Sequence, residues 1–389
     1  MNKKQKIRVL GKGITAQAIK NSFNDVILYD ENDFNQYDKE SEDITIVSPG
    51  IPPSNFMVKE SNNIQSDYDL IASTMPYSIW ISGTNGKTTT TQMVQLLLEK
   101  RGSLCGGNIG IPITSLDIKA NLWILETSSF TLHYTQKAKP NLYILLPITD
   151  DHISWHGNFS EYEKAKLKAM DNMQEGEVAI IPSKYKEYPT SAFKIIYESC
   201  DDLLKYFEID SAKLKFKAPF LMDACMALAI SKILFDEIDY EKMNTFVVDA
   251  HKAEEFKDKK NRVWVDDSKA TNLDATQEAL KAYEKQKIYL IVGGEDKGAN
   301  LEPLFDFFKH LNIKLFAIGK NYLTLLTLAK EFNIEIERCD YLEIAVQKID
   351  LLHNEKSIAI LSPAAASLDQ FASYKHRGEE FKKCVYSLS

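Results

Sequence analysis

Residues 83–89 read Gly83-Thr84-Asn85-Gly86-Lys87-Thr88-Thr89, between an apolar run at 78–82 and a helical pattern at 90–100. Glycines let backbone N–H groups turn toward one point and let a phosphate approach closely. The positive end of the following helix faces the same anion. Lys87 is then expected to reach the β- and γ-phosphates, and the Thr88 hydroxyl to ligate Mg²⁺. The order of strand, glycine-rich loop and helix therefore predicts an ATP site.

Size and charge narrow the class of protein. The chain has 389 residues, which is more than one hydrophobic core usually organises, so we expect two or three domains. A net charge of −8 argues against a nucleic-acid-binding role. No apolar run approaches the ~18–20 residues of a membrane span, and the basic N-terminus leads into a strand pattern rather than a secretory segment. We therefore expect a cytoplasmic protein.

The five cysteines lie far apart in the sequence, with no zinc-type spacing. We expect them to be reduced, packed thiols.

Short apolar strands alternate with helical patterns in three blocks, which predicts an α/β fold with mostly parallel sheets. We expect a Rossmann-like domain at 1–76, a central P-loop ATP-binding domain at 77–249 and a second Rossmann-like domain at 250–389. The predicted strands are 6–10, 26–29 and 43–47, then 122–125, 142–146 and 178–181, then 262–265, 288–292, 314–318 and 357–361.

Polar clusters follow several predicted strands, and ligands bind at strand carboxyl ends in open α/β sheets. Glu126 follows the strand at 122–125, and His152 follows the one at 142–146. Both are candidate metal ligands beside the triphosphate, although a strand-end cap or a satisfied polar group would explain either. The stretch 106–110 is glycine-rich and is either an ATP contact or an ordinary turn.

The outer blocks carry weaker signals. Gly11 and Gly13 suggest a dinucleotide turn, but the third glycine of that pattern is replaced by Ala16. Asp30 ends the second strand, where an acidic residue would meet a ribose or base, so a nucleotide ligand and a purely structural turn both remain open. In the third block the loops 266–272, 293–298 and 361–367 suit an anionic second substrate, or are ordinary βα turns.

Taken together these segments resemble the Mur ligase family, and within it the D-glutamate-adding members, over about 9–381. The most specific segments are 83–89, 107–112, 126–130, 267–272 and 362–371. The resemblance implies an ATP-dependent ligase of cytoplasmic peptidoglycan precursor synthesis. It would add D-glutamate to the L-alanine carboxylate of UDP-N-acetylmuramoyl-L-alanine through an acyl phosphate. The alternatives are an L-alanine-adding ligase, a folylpolyglutamate synthetase, or a non-catalytic nucleotide-binding protein. We expect a monomer.

The resemblance also implies roles for single residues, with two Mg²⁺ ions bound. The metal ligands would be Thr88, Ser128, Glu126, His152 and Lys166, the last as a carbamate, although by sequence alone it is one of several exposed helix lysines. The catalytic residues would be Lys87, Glu126, His152, Lys166 and Lys269. The ATP contacts would be Gly83, Thr84, Asn85, Gly86, Lys87, Thr88, Thr89, Asn108, Lys252, Asp267 and Lys269. The uridine-nucleotide substrate would meet Ile14, Thr15, Asp30 and Asn108, and D-glutamate would meet Thr271, Lys297, Ser367, Leu368 and Tyr374.

Three segments depart from the family pattern. Residues 217–220 replace a Gly-x-His-Asn stretch, which puts an adenine contact in doubt, with Asp223 as a substitute. Lys252 stands where an arginine is expected, so the charge is kept and the fork geometry is lost. The segment 153–155 lacks the aspartate and arginine common there.

Overall fold

The structure is a computed structural model that describes residues 6–295 and 300–388. The chain divides into two compact units, one of Met1–Phe216 with Phe220–Phe246 and the other of Lys217–Pro219 with Val247–Ser389. The described residues contain three β-sheets, two in the first unit and one in the second. The predicted α/β class is therefore confirmed, with a sheet in each of the three predicted blocks.

The first sheet is parallel and has the strand order β2-β1-β3-β4. Its residues alternate between apolar strands and helices, and Val9, Ile19 and Ile46 are fully buried between them. The elements are β1 Ile7–Leu10, α1 Ile14–Ser22, β2 Val26–Tyr29, β3 Ile44–Val47, α2 Phe56–Lys59, β4 Ile64–Gln65 and α3 Asp67–Ile71.

The second sheet has six parallel strands in the order β10-β9-β8-β5-β7-β6. Its central strand carries Ile79, Trp80 and Ile81 with no exposed surface, as expected of a strand covered on both faces. Because β5 lies between β7 and β8, the loops that leave these three strands meet at one edge. The elements are β5 Tyr77–Ser82, α4 Lys87–Leu98, β6 Ser103–Gly107, β7 Leu122–Glu126, α5 Ser129–Tyr134, β8 Leu142–Leu145, α6 Ile153–His156, α7 Phe159–Leu167, β9 Val178–Pro182, β10 Phe193–Tyr197, α8 Cys200–Tyr206, α9 Phe220–Phe235 and α10 Tyr240–Asn244.

The third sheet has the order β11-β12-β16-β13-β14-β15, and only its edge strand β11 runs antiparallel. Buried apolar clusters cover both faces of this sheet, which makes it doubly wound. The elements are β11 Glu254–Lys257, β12 Val263–Asp266, α11 Leu273–Lys281, β13 Lys287–Val292, α12 Glu302–Phe308, β14 Ile313–Ile318, α13 Tyr322–Glu331, β15 Glu335–Asp340, α14 Leu342–Asp350, β16 Ser357–Leu361 and α15 Tyr374–Ser387.

The predicted strands are confirmed to within one residue at each end, but several others were missed. β15 reads Glu-Ile-Glu-Arg-Cys-Asp, and its charges conceal a strand because it lies at a sheet edge. Gly106 and Gly107, for which the sequence left an ATP contact and an ordinary turn open, end the strand β6. Across the two described ranges, none of the helices is both long and apolar enough to cross a lipid bilayer.

Candidate active site

The glycine-rich loop connects β5 to α4, as the sequence predicts. Gly83 and Gly86 have φ values of +140° and +81°, in the region that favours glycine. A Cβ atom on Gly83 would collide with Leu146, and one on Gly86 would collide with Asp223. The loop therefore packs tightly against Leu146 and Asp223, and this packing by itself requires glycine at both positions.

Thr84 fastens this loop to the segment that follows β8. Its Oγ1 atom accepts a hydrogen bond from the Thr149 backbone N–H at 2.9 Å and lies 3.0 Å from the hydroxyl of Tyr162. Tyr162 is buried on α7, four residues before Lys166 and so on the same helix face. Sequence reasoning did not select Tyr162, although this spacing was available as a signal.

Two lysines converge on one backbone carbonyl of the loop. Lys87 Nζ donates to the carbonyl oxygens of Gly83 and Thr84 at 2.9 and 2.7 Å, and Lys166 Nζ donates to Gly83 at 2.7 Å. Lys166 is only 1% exposed, so the expectation of an exposed helix lysine was wrong. The neighbouring Lys164 does face solvent, which is why the local pattern was misleading.

Burial lowers the pKa of both amines, and repulsion by Lys87 acts in addition on Lys166. Burial lowers the pKa of Lys166 well below its usual value, and the nearby Lys87 ammonium lowers it further. Burial also lowers the pKa of Lys87. Asp151 and Glu126 oppose both shifts, so Asp151, which is not among the residues selected from the sequence, belongs to the electrostatics of this site.

Glu126 ends β7 and is buried beside the first turn of α4. Its carboxylate accepts from Thr88 Oγ1 at 2.8 Å and from Asn108 Nδ2 at 2.7 Å. A carboxylate and a hydroxyl in contact supply the oxygen ligands that Mg²⁺ prefers. These residues therefore fit a magnesium ion next to the phosphate loop.

Ser128 and His152 lie on adjoining elements of the same unit. Ser128 caps α5, where its Oγ accepts from the Thr131 N–H at 3.0 Å. The His152 ring centroid lies 4.7 Å from that of Phe130 and 6.0 Å from that of Tyr162. His152 also has a left-handed backbone, with φ of +55°, at the start of α6. The ring thus packs against aromatic neighbours, and its Nε2 atom lies 3.6 Å from a carboxylate oxygen of Asp151.

A cavity of about 230 Å³ opens at the carboxyl edge of the first sheet. Asp30 lines it, and the Asp30 carboxylate forms a 2.9 Å ion pair with Lys12. Ile14 and Thr15 begin α1, and the Ile14 side chain is 74% exposed. The other residues that line the cavity include Leu10, Gly11, Tyr29, Ile51 and Met57.

In the second unit, polar residues follow β12 and β16, which are neighbouring strands. Asp267 accepts from Ser362 Oγ at 2.6 Å and from the Ala253 N–H at 3.1 Å. Burial raises the pKa of Asp267 to about 7. Lys269 Nζ lies 4.4 Å from the ring centroid of Tyr374, the first residue of α15.

A buried guanidinium joins the loops after β12 and β16. Arg377 Nε donates to Ser268 Oγ at 2.9 Å, and its terminal nitrogens donate to the carbonyls of Ser268 and Ala365 at 2.8 and 3.2 Å. Burial lowers the pKa of Arg377 to about 10. The sequence analysis did not select Arg377, because nothing near it in the chain marks an arginine on α15 as buried.

The remaining predicted residues of the second unit lie on several segments of the chain. Ser367 is buried and Leu368 is 67% exposed, in the loop after β16. Lys252 forms a 3.0 Å ion pair with Asp249, and Thr271 precedes α11. Lys297 lies outside the described residues.

Asp223, in the first unit, accepts a hydrogen bond from Thr90 Oγ1 at 3.0 Å. Its contact with adenine stays a prediction.

In the second unit, ligand atoms of His251, Glu254 and Asp266 lie within 4.8 Å of one another. Lys382 Nζ is 2.6 Å from Glu254 and 4.0 Å from Asp266, so an ammonium already lies beside both carboxylates. We interpret the cluster as an ion network.

A parallel sheet with a phosphate loop after its central strand, and with Thr88 and Glu126 in contact beside that loop, is typical of P-loop nucleotide-binding proteins. The Mur ligase middle domain family matches residues 81–218. UDP-N-acetylmuramoylalanine–D-glutamate ligase from Campylobacter jejuni subsp. jejuni is 52% identical over 354 residues, which cover 91% of this chain and 88% of that protein. The protein of the same name from Helicobacter pylori is 44% identical and covers 98% of this chain and 99% of its own length. The chain belongs to the UDP-N-acetylmuramoylalanine–D-glutamate ligase family.

Solved structures agree on the fold. MurF ligase from Thermotoga maritima, crystallised with ADP, superimposes with a TM-score of 0.61 at 13% identity and covers 98% of this chain and 94% of its own. At that identity the similarity supports the three-domain α/β architecture alone.

Proposed function

We propose that this protein is an ATP-dependent ligase that adds D-glutamate to the L-alanine carboxylate of UDP-N-acetylmuramoyl-L-alanine through an acyl phosphate. Family membership supports the substrates, because relatives named for this reaction are 44–52% identical over most of the chain. The observation that carries the chemistry is the contact of Thr88 and Asn108 with Glu126 beside Lys87. This arrangement suits phosphoryl transfer, which depends on positioning and charge neutralisation.

The chain's own residues would act first on the triphosphate. The Lys87 ammonium donates to the Gly83 and Thr84 carbonyls in this structure, and it would donate to the β- and γ-phosphates when ATP is bound. Thr88 and Glu126, with Ser128, would hold an ion. Bound Mg²⁺ supplies charge neutralisation at the transferring phosphoryl group. Asp267 and Lys269 would contact ATP from the second unit.

Carbamylation of Lys166 is a further part of the proposal. Its depressed pKa leaves more of the amine unprotonated near neutral pH, and only the neutral amine attacks CO₂. The amine nitrogen would bond to the carbon of CO₂ and release one proton, which yields a carbamate anion. Its oxygens, unlike an ammonium, can ligate a cation, and with His152 they would hold a second Mg²⁺.

The substrates would occupy the outer domains. The cavity lined by Asp30 supports a site for the uracil end of the nucleotide substrate, with Ile14 and Thr15 close by in sequence. D-glutamate would be held by Thr271, Lys297, Ser367, Leu368 and Tyr374. We propose domain boundaries near 76/77 and 249/250, and a monomeric cytoplasmic enzyme.

Phosphate release is the direct test. The purified protein is supplied with Mg²⁺, ATP and UDP-N-acetylmuramoyl-L-alanine, and with D-glutamate, L-glutamate, L-alanine or no amino acid. Release with D-glutamate alone, with a product of the expected mass, is the expected result. Release with another amino acid would assign the protein to a different ligase of the same superfamily. Folate-dependent use of L-glutamate would identify a folylpolyglutamate synthetase. Confirmed ATP binding without any release would overturn the catalytic assignment.

A further inference from the structure

Two cysteines that are distant in the sequence meet in the first unit. The Sγ atoms of Cys200 and Cys225 lie 3.3 Å apart, where α8 packs against α9. Their separation of 25 residues in the sequence gives no sign of this contact, since only the tertiary fold brings the two thiols together. Both thiols are free, as are those of Cys105, Cys339 and Cys384.

The two sulfurs are close enough to form a disulfide, and their unequal exposure determines which thiol an oxidant reaches first. A disulfide has an S–S length of about 2.05 Å, so the two sulfurs must approach by only about 1.2 Å, which side-chain rotation can supply. Cys200 is half-buried, whereas Cys225 has no exposed surface. A small oxidant would therefore reach Cys200 first, and Cys225 would be the resolving thiol.

The charge states of the two thiols favour the same order. The neighbouring Cys225 thiol lowers the pKa of Cys200, whereas the hydrogen bond to Cys200 and burial raise the pKa of Cys225. The thiolate is the attacking species in thiol–disulfide exchange. Cys200 is thus both the more accessible and the more readily ionised member.

We propose that Cys200 and Cys225 are a reversible disulfide-forming modification site, with a low-molecular-weight disulfide such as oxidised glutathione as the oxidant. The Cys200 thiolate bonds to one glutathione sulfur and expels the other as a thiolate. Cys225 then loses its proton, bonds to Cys200 and expels the second glutathione. Two protein thiols are oxidised and one small disulfide is reduced to two thiols, so atoms and electrons balance.

The position of this bond relates it to the nucleotide site. Cys225 follows Asp223 by two residues on α9, and Asp223 accepts from Thr90 on α4. The disulfide would therefore tether α8 to the helix that supports the phosphate loop. The bond would form whichever amino acid the enzyme uses.

The test uses the native full chain treated with oxidised glutathione. We expect two of the five thiols to be lost and a peptide pair joined through Cys200 and Cys225, with both thiols restored by dithiothreitol. Cys225→Ser should stop at a mixed glutathione disulfide on Cys200. The control Cys105→Ser should form the same bond as the unaltered chain.

Three results would overturn the proposal. The first is no loss of native thiols under conditions that oxidise a small dithiol. The second is a mixed glutathione adduct that persists on Cys200 of the unaltered chain. The third is a bond that joins other cysteines instead of this pair.

Discussion

At the scale of single residues, the shared Gly83 carbonyl is the most consequential contact. The partly buried Lys87 and the buried Lys166 donate to the same oxygen, and like charges in a poorly solvated place disfavour full protonation of both. In the proposed function Lys87 binds the phosphates, so Lys166 would be the amine that is modified covalently. Its chemistry follows from burial, which the local sequence conceals.

Replacement of this amine tests its role directly. We expect Lys166→Ala to lower kcat on the order of 100-fold or more while ATP still binds, because the site loses one set of ligand oxygens. Turnover and ATP binding are measured separately, and short-chain carboxylic acids should restore part of the turnover. Lys164→Ala, on the exposed side of the same helix, is the matched control and should retain full activity. Full activity of Lys166→Ala would contradict the carbamate role.

Arg377 is a positioning residue, since its guanidinium bonds to Ser268 and Ala365 on two loops. Arg377→Lys keeps the charge but lacks the fork, so we expect the KM for D-glutamate to rise roughly tenfold, with a smaller change in kcat. Guanidinium ions should partly rescue Arg377→Ala, which a merely destabilised domain would not show. Arg338→Lys, on an exposed arginine of β15, is the control. Equal KM values for Arg377→Lys and the unaltered enzyme would remove this role.

At the scale of elements, α3 shows how a short helix is held in place. Ser66 and Asp69 form a capping box at its start. The Asp69 carboxylate also accepts from the N–H groups of Gln136, Lys137 and Ala138 at 2.8, 2.6 and 2.8 Å. One side chain therefore joins the helix to the segment after α5.

Asp69→Asn should destabilise the first unit by about 2–4 kcal/mol, because an amide group would point N–H donors at backbone N–H donors. Chemical denaturation of the full chain measures this free energy of unfolding. Asp201→Asn, the same change at an exposed aspartate of α8, is a surface control that should change little. An unchanged midpoint for Asp69→Asn would show that water replaces these contacts.

Asp67, in the same helix, gives a prediction about pH. Burial raises the pKa of Asp67 to about 7, above the value near 4 of an unfolded chain. The folded state thus binds the proton more tightly, so the stabilisation is complete below pH 4 and is lost as the pH rises through 7. Asp67→Asn should flatten this dependence, and above pH 7 it should be more stable than the unaltered chain by up to about 4 kcal/mol. The free energy of unfolding of both proteins is measured by chemical denaturation at pH 5 and at pH 8. The same change between the two pH values in Asp67→Asn and in the unaltered chain would contradict the raised pKa of Asp67.

At the scale of the whole molecule, ligand binding should stabilise the unit that contains the phosphate loop. A non-hydrolysable ATP analogue with Mg²⁺, at 100 times its Kd, should add about 2.7 kcal/mol to the free energy of unfolding. Lys87→Ala should lose most of this gain, because the main cation for the phosphates is removed, whereas Lys164→Ala should keep it. Thermal denaturation with and without the analogue measures the effect. The same gain in Lys87→Ala and the unaltered chain would place the nucleotide elsewhere.

The sequence alone was enough for the phosphate loop, the α/β class and almost every predicted strand boundary, because periodicity and turn chemistry act over a few neighbouring residues. It also identified the family, since the motifs at 83–89 and 362–371 are local. The burial of Lys166 depends on the tertiary structure, in which its amine donates to the Gly83 carbonyl, 83 residues away in the chain. The hydrogen bonds of Arg377 to Ser268 join residues that are 109 positions apart, and the Cys200–Cys225 contact joins separate helices. Such contacts depend on strand order and helix packing, which bring together residues whose local patterns carry no information about one another.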